Sequence, residues 1–299
     1  MIVDAHTHYF PPNVARDPKA FAQEYNEDHW LALVLPNGKP GIQSWATKEG
    51  MLEEMDKASV DQVVVLGWYW ENPATCRLQN DWSSQLIEEY PDRFIAFASL
   101  HTGSKSPTDD LKRCQEQGFR GIGECHPRVQ GTDLKSPEWQ ACLSFASENG
   151  WPVTFHVTEQ VGHDYPGRVP TPYNEFHWLA REFPKLKIIL SHAGGLFPFF
   201  ELNPKVRREV TNIYYDLSAC PLLYEPTLYQ KLIDVVGCEK ILWGTDFPLR
   251  IYPAKQSHPD FSLLQEEVLS NTNLNPSQRN ALFGGNLLSL LPCSSNSKS

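Results

Sequence analysis

The sequence predicts an α/β fold, namely a (β/α)8 TIM barrel with a long insertion after strand 1 and an extra C-terminal helix. Two observations support this prediction. Eight short runs rich in Val, Ile and Phe alternate with longer amphipathic segments, and nearly continuous apolar runs are typical of strands buried on both faces. The alternative, a doubly wound sheet, usually has a G-x-G-x-x-G turn after its first strand, and no such turn follows the first run here.

The predicted strands and helices alternate along the chain, as the barrel requires. The strands are predicted over residues 2–5, 62–66, 94–100, 119–123, 153–157, 187–191, 213–217 and 241–244. The helices are predicted over residues 48–58, 81–90, 107–117, 137–148, 173–183, 199–209, 226–236, 261–269 and 276–291. Several helices end at stop signals, such as Gly118 after the third and Pro184 after the fifth.

Two segments exceed what a minimal barrel needs. Residues 9–47 follow the first strand and residues 159–172 follow the fifth. Connections of this kind overhang the C-terminal rim of a barrel, where active sites lie. We therefore expect one domain over residues 1–292, in which residues 9–47 form a lid or substrate-binding insertion. The Ser-rich residues 293–299 are predicted to be a disordered tail.

Charge and hydropathy disfavour several classes of protein. The chain has 299 residues, and 36 acidic against 26 basic side chains give a formal net charge of −10. Nucleic-acid backbones are bound by clustered Lys and Arg, so we expect no nucleic-acid partner. No apolar run approaches the ~20 residues that span a bilayer, and the N-terminus lacks a signal-peptide pattern. We expect a cytoplasmic protein without membrane contact that takes a small-molecule substrate, and exposed aromatic residues would favour a homodimer.

Histidines and one aspartate stand where predicted strands end. His6 and His8 follow strand one with strand spacing, so both side chains can point to the same side. His156, His192 and Asp246 follow strands five, six and eight, and these strand ends meet at one mouth of a barrel. Imidazole and carboxylate ligands suit Zn, Mn, Fe or Co. The pattern therefore predicts a transition-metal site.

This constellation resembles the amidohydrolase superfamily, and residues 3–8, 189–195 and 242–248 look most like its amidohydrolase-related (amidohydrolase 2) branch. The resemblance implies a metal-bearing (β/α)8 barrel with His6, His8 and His156 as metal ligands. Asp246 would ligate the ion or contact the metal-bound water, and it would serve as the proton-transfer group. His192 would bind a second metal or polarise the substrate as a second catalytic residue.

Glu124 departs from the pattern of binuclear members, which often have a carboxylated lysine at this place. A glutamate there is similar to TatD-like hydrolases, in which such a residue bridges two metals. The alternative is a rim glutamate paired with Arg120 or Arg128. We therefore expect one ion, most simply Zn, and a second only if Glu124 takes part.

The resemblance leaves three reactions open. The leading expectation is a metal-dependent hydrolase that uses a metal-activated water on a lactone, ester or amide. The alternative is a nonoxidative decarboxylase of an aromatic or unsaturated carboxylic acid, and a lesser alternative is a TatD-like nuclease, which the net charge disfavours. Three residues after strands four and eight are candidate substrate-binding residues: His126, Arg128 and Arg250.

Overall fold

The computed structural model describes residues 1–292, so the predicted tail over residues 293–299 lies outside the described residues. Eight parallel strands form the centre of the fold. They are β1 (Val3–Thr7), β2 (Gln62–Val65), β3 (Phe94–Ala96), β4 (Ile122–Cys125), β5 (Val153–Phe155), β6 (Ile188–Leu190), β7 (Ile213–Asp216) and β8 (Ile241–Leu242).

The strands close into a barrel. Strands β1 to β3 pair in chain order, and so do β4 to β8. Parallel bridges join Ala98 to Ile122 and Thr7 to Phe247, and they link the two groups on both sides. The predicted TIM barrel is therefore confirmed. No helix within residues 1–292 has the length and apolar character needed to cross a membrane.

Helices follow the strands on the outside of the barrel and also build the insertion. The α-helices are α1 (Pro12–Arg16), α2 (Pro18–Tyr25), α3 (Asp28–Val34), α4 (Lys48–Lys57), α5 (Pro73–Glu89), α6 (Pro107–Glu116), α7 (Pro137–Glu148), α8 (Tyr173–Glu182), α9 (Pro204–Glu209), α10 (Cys220–Leu223), α11 (Leu228–Val236), α12 (Ser262–Ser270), α13 (Pro276–Asn280) and α14 (Asn286–Leu290). Helices α1 to α3 lie in the insertion, where no helices were expected.

Successive residues of a strand join different apolar clusters, as expected of strands buried on both faces. Val63 and Val65 of β2 belong to the large cluster that contains Met51 of α4. Val64 belongs to a second cluster that contains Leu287 of α14. The final helices therefore complete the core.

Several predicted elements differ from the structure, and among them the helix predicted over residues 81–90 begins earlier, at Pro73. Strand β4 lies over Ile122–Cys125 instead of residues 119–123, so Glu124 is inside the strand. The predicted helix over residues 199–209 is replaced by a 3-10 segment, His192–Leu202, and the short α9, because Pro204 and its cap Asn203 start a new helix. The C-terminal helix is broken at Gly284, where a Cβ atom would lie 2.9 Å from the carbonyl oxygen of Met1.

Candidate metal centre and active site

The first part of the site lies at the end of β1. His6 and His8 are buried, and their side chains point to the same side because they are two residues apart on a strand. Their Nε2 atoms are 3.2 Å apart. The carboxylate of Glu124 on β4 faces both rings, with one oxygen 3.8 Å from His6 Nε2 and the other 3.8 Å from His8 Nε2. These three side chains form one potential metal-binding group.

Glu124 also belongs to a second potential metal-binding group, with His156 after β5 and His192 after β6. Its Oε1 atom is 3.1 Å from His156 Nδ1 and 3.6 Å from His192 Nε2. The two imidazoles approach each other to 3.2 Å between these nitrogens. The Glu124 side chain is 1% exposed, so this buried carboxylate is shared by two sets of donors.

Asp246 closes the cluster from the end of β8. Its Oδ1 atom is 3.5 Å from His8 Nε2 and 3.7 Å from His6 Nε2, and its Oδ2 atom is 3.9 Å from His192 Nδ1. The backbone N–H of Asp246 donates to the His6 carbonyl at 2.8 Å. Asp246 and His192 both have positive φ, +69° and +58°, and such uncommon conformations concentrate at functional sites.

Asp216, at the end of β7, orients two of these histidines and was not among the predicted site residues. Its Oδ2 atom accepts a hydrogen bond from His6 Nδ1 at 3.0 Å. Its Oδ1 atom accepts from the backbone N–H groups of His192 and Ser218, each at 3.0 Å, and from the Ser218 hydroxyl. Its position after an apolar strand, like that of Asp246, is the sequence signal that points to it.

The charges in the cluster shift one another's pKa values. Burial opposes protonation of His6, but Asp216, Glu124 and Asp246 outweigh it and raise the pKa of His6 to about 10. Burial likewise opposes protonation of His192, and Glu124 raises its pKa to about 9. Burial and the neighbouring His6 lower the pKa of His8 to about 4. The buried carboxylates thus stabilise positive charge in the cluster. Protons on the histidines supply that charge, and a bound cation can supply it instead.

The donor set fits a transition-metal ion. Because His6 donates its Nδ1–H to Asp216, the ring has its Nε2 lone pair free for the centre of the cluster. His192 Nδ1 is 3.0 Å from the Ser218 carbonyl, which leaves Nε2 facing Glu124. A second hydrogen bond of this kind is typical of metal-ligating histidines. The side chains that can hold the ion are His6, His8, His156 and Asp246, with Glu124 and His192.

A cavity of about 380 Å³ opens onto this cluster, within the roughly 300–1,000 Å³ of small-molecule sites. Its inner lining includes His8, Glu124, His156, His192 and Asp246. The remaining walls are mostly apolar and aromatic, and they include Phe10, Trp68, Tyr69, Leu222, Leu223 and Leu249.

The three candidate substrate-binding residues lie away from the cavity lining, so their role stays a prediction. His126 is buried and stacks on His156, with ring centroids 5.4 Å apart. Arg128 pairs with Glu175 at 2.9 Å. Arg250 donates to the carbonyl of Gly41 at 2.7 Å, so it supports the insertion segment that lines the cavity.

The insertion and the connection after β5 meet each other at the cavity. Leu33, Pro36 and residues 41–43 of the insertion line it, as do Tyr165 and Pro166 from the other connection. His29 Nε2 is 2.8 Å from the Gly167 carbonyl. The backbone N–H of His29 donates to the Glu71 carboxylate at 2.6 Å. The insertion is thereby joined to two other connections of the barrel.

Several known proteins are similar to this chain in sequence or fold. The 2-amino-3-carboxymuconate-6-semialdehyde decarboxylase of Dictyostelium discoideum is 25% identical over 97% of this chain and 91% of its own length. The crystal structure of 5-carboxyvanillate decarboxylase from Sphingomonas paucimobilis has a TM-score of 0.72 and 16% identity, and the match covers 97% of this chain and 98% of that chain. A dihydroxybenzoic acid decarboxylase from Polaromonas sp. JS666 was solved with bound manganese and the inhibitor 2-nitroresorcinol. It has a TM-score of 0.67 and 16% identity, and the match covers 97% of this chain and 96% of that chain.

The family model described as amidohydrolase matches residues 3–292, which is nearly the whole chain. The resemblance inferred from the strand-end motifs is therefore confirmed. The chain belongs to the amidohydrolase family and is an enzyme built on its TIM barrel.

Proposed function

We propose that this enzyme is a metal-dependent decarboxylase that removes CO2 from a small aromatic or unsaturated carboxylic acid without an oxidant. The observation that carries the proposal is the similarity to a decarboxylase over 97% of the chain. Hydrolysis of a lactone, ester or amide, the leading expectation from the sequence, becomes the second candidate because the same side chains can serve it.

The ion in this proposal is Zn²⁺, with Mn²⁺, Fe²⁺ and Co²⁺ as the others that imidazole and carboxylate ligands accept. When bound, it supplies a Lewis acid that holds and polarises substrate oxygens. His6, His8, His156 and Asp246 would hold one ion. Glu124 belongs to both groups of donors, with His6 and His8 and with His156 and His192, and His192 would become a ligand only if a second ion binds.

The reaction requires one bond to break and one proton to move. The bond between the substrate and its carboxylate carbon breaks, CO2 leaves, and the electron pair stays on the substrate carbon until a proton reaches it. Asp246 is the proposed donor of that proton because its carboxyl group lines the cavity and lies among the histidines. His192, 3.9 Å from Asp246, is the alternative donor. Each turnover therefore consumes one proton.

The cavity walls suit a planar substrate. Trp68 and Tyr69 stack on each other with ring centroids 4.5 Å apart, and both line the cavity. Tyr69 is also 5.0 Å from the His156 ring. Aromatic walls favour contact with a flat unsaturated or aromatic molecule. The insertion over residues 9–47 acts in this proposal as the lid that completes the cavity within one domain, residues 1–292.

The proposal is tested by loading the purified protein with Zn²⁺ or Mn²⁺ and offering it hydroxybenzoates, unsaturated acids, lactones and esters. We expect stoichiometric CO2 from at least one acid, lost after chelation and restored by the metal. Asp246→Asn should lose turnover even when enough metal is supplied to load the protein, since the amide does not deliver the proton. Opening of a lactone ring or cleavage of an ester without release of CO2 would show that the enzyme is a hydrolase and not a decarboxylase.

A further inference from the structure

A carboxylate that the proposed reaction does not use lines the same cavity. Glu159 is 7% exposed and belongs to the cavity lining. It is three residues beyond His156 in the chain, so their Cα atoms are separated by at most about 10 Å. Both residues line the same cavity, so a one-ring substrate held at the cluster can extend toward Glu159.

The nearest basic side chain after β5 does not neutralise this carboxylate. Arg168 donates from Nη2 to the backbone carbonyl of Glu159 at 2.7 Å, and its Nη1 is 3.7 Å from the carboxylate of Asp164. The side chains lining the cavity within residues 1–292 include no arginine or lysine. The Glu159 carboxylate therefore makes no ion pair within residues 1–292, although the Arg168 guanidinium lies against the Glu159 backbone.

The backbone of the loop after β5 lies close to the Glu159 side chain. A Cβ atom on Gly162 would lie 2.7 Å from Glu159 Oε1, so the backbone of this loop packs directly against the carboxylate. Burial raises the pKa of the Tyr165 phenol, and the charge of Glu159 adds to that shift while Arg168 opposes it. Tyr165 also lines the cavity, so the two side chains share one region of its wall.

We propose that Glu159 is a specificity-determining residue. It favours a substrate whose remote end is neutral or donates a hydrogen bond, and it disfavours a second anionic group at that end. Like charges repel strongly where little water screens them, and an interaction that rejects the wrong ligand is as effective for specificity as one that attracts the right one. This inference rests on the proposed function for the reaction, but the preference of Glu159 for one ligand over another is a property of binding.

The test compares 2,6-dihydroxybenzoate with 2,6-dihydroxyterephthalate, which adds a carboxylate opposite the first. Dissociation constants are measured by calorimetry on the Zn²⁺-loaded wild type, on Glu159→Gln and on the control Asp164→Asn. Asp164 is fully exposed in the same loop, so its substitution removes an equal charge outside the cavity. We expect the wild type to bind the monocarboxylate more tightly, and Glu159→Gln to reduce that preference about tenfold, which is about 1.4 kcal/mol.

Structural damage would weaken the binding of both ligands equally and leave the ratio of their dissociation constants unchanged. The proposal would be overturned if the ratio of the two dissociation constants were unchanged in Glu159→Gln, or if it changed equally in Asp164→Asn. It would also be overturned if the wild type bound the dicarboxylate as tightly as the monocarboxylate. CO2 release is followed in the same samples. If no probe is decarboxylated but the binding ratio shifts as expected, the proposed reaction fails and the role of Glu159 stands.

Discussion

Replacing Asp216 by Asn should weaken metal binding without unfolding the barrel. The carboxylate is buried and accepts the Nδ1–H of His6 at 3.0 Å. An amide has nearly the same shape, so its oxygen can still accept the backbone N–H groups of His192 and Ser218. Its NH2 group then faces His6 Nδ1. That nitrogen must become an acceptor, and the ring proton moves to Nε2, where it occupies the lone pair that the ion needs.

The expected loss is set by the role of this hydrogen bond. Removing a partner that orients a metal-ligating histidine reduces metal affinity about 10- to 100-fold, or about 1.4–2.7 kcal/mol. Ser191 provides a matched control, since its hydroxyl lies 3.3 Å from the same His6 Nδ1. Ser191→Ala removes one neutral hydrogen bond, worth about 0.5–1.5 kcal/mol, and leaves the carboxylate in place.

Metal affinity is measured by equilibrium competition with a chelator, with the protein-bound metal counted by mass spectrometry. Thermal unfolding of the metal-free proteins shows whether each variant is folded. The reasoning would be refuted if Asp216→Asn, folded like the wild type, bound metal as tightly as Ser191→Ala does.

Three further predictions follow from other parts of the structure. At pH 7 the metal-free cluster holds protons on His6 and His192, whose pKa values are raised to about 10 and about 9. Because ligation needs neutral imidazole, metal affinity should rise as the pH rises toward 9. Calorimetry in buffers of different ionisation enthalpy should detect the released protons, whereas a pH-independent affinity would contradict this. His29→Ala removes the contact with the Gly167 carbonyl. KM should rise about fivefold, as the loss of about 1 kcal/mol implies, and amide hydrogen exchange over residues 29–43 should accelerate. Unchanged exchange would show that His29 does not stabilise the lid. Lys240→Met leaves the buried Glu201 without the cation that lies 3.0 Å from its carboxylate. The free energy of unfolding, measured by urea titration, should fall by about 3–5 kcal/mol. A loss below about 1 kcal/mol would show that the Tyr215 hydroxyl, 2.6 Å from Glu201, is enough to stabilise the buried carboxylate.

The barrel was predictable because its signal is local. Each strand is a short apolar run, and each helix has its own start and stop residues, as at Pro137–Glu148, where the predicted and observed helix agree. The insertion was less predictable because its helices are short. Asp17 caps α2 by accepting from the backbone N–H of Ala20, and this capping signal could have identified the helix.

The candidate site was predictable where side chains follow strand ends. The structure brings together the predicted ligands because the barrel collects those ends at one mouth. Asp216 was missed since its role depends on a partner 210 residues away. Arg128 and Arg250 were predicted from the same positional argument. They contact Glu175 and the Gly41 carbonyl, and their role in substrate binding stays a prediction.

Decarboxylation at this cluster can be recognised by the fate of solvent atoms in the product. The metal-loaded enzyme is given an active substrate in D2O and, separately, in water labelled with ¹⁸O, and the products are examined by mass spectrometry. We predict one CO2 per turnover and one deuterium on the carbon that carried the carboxylate, with no labelled oxygen in the organic product. Labelled oxygen in that product, with no CO2 released, would contradict the account and assign the site to hydrolysis.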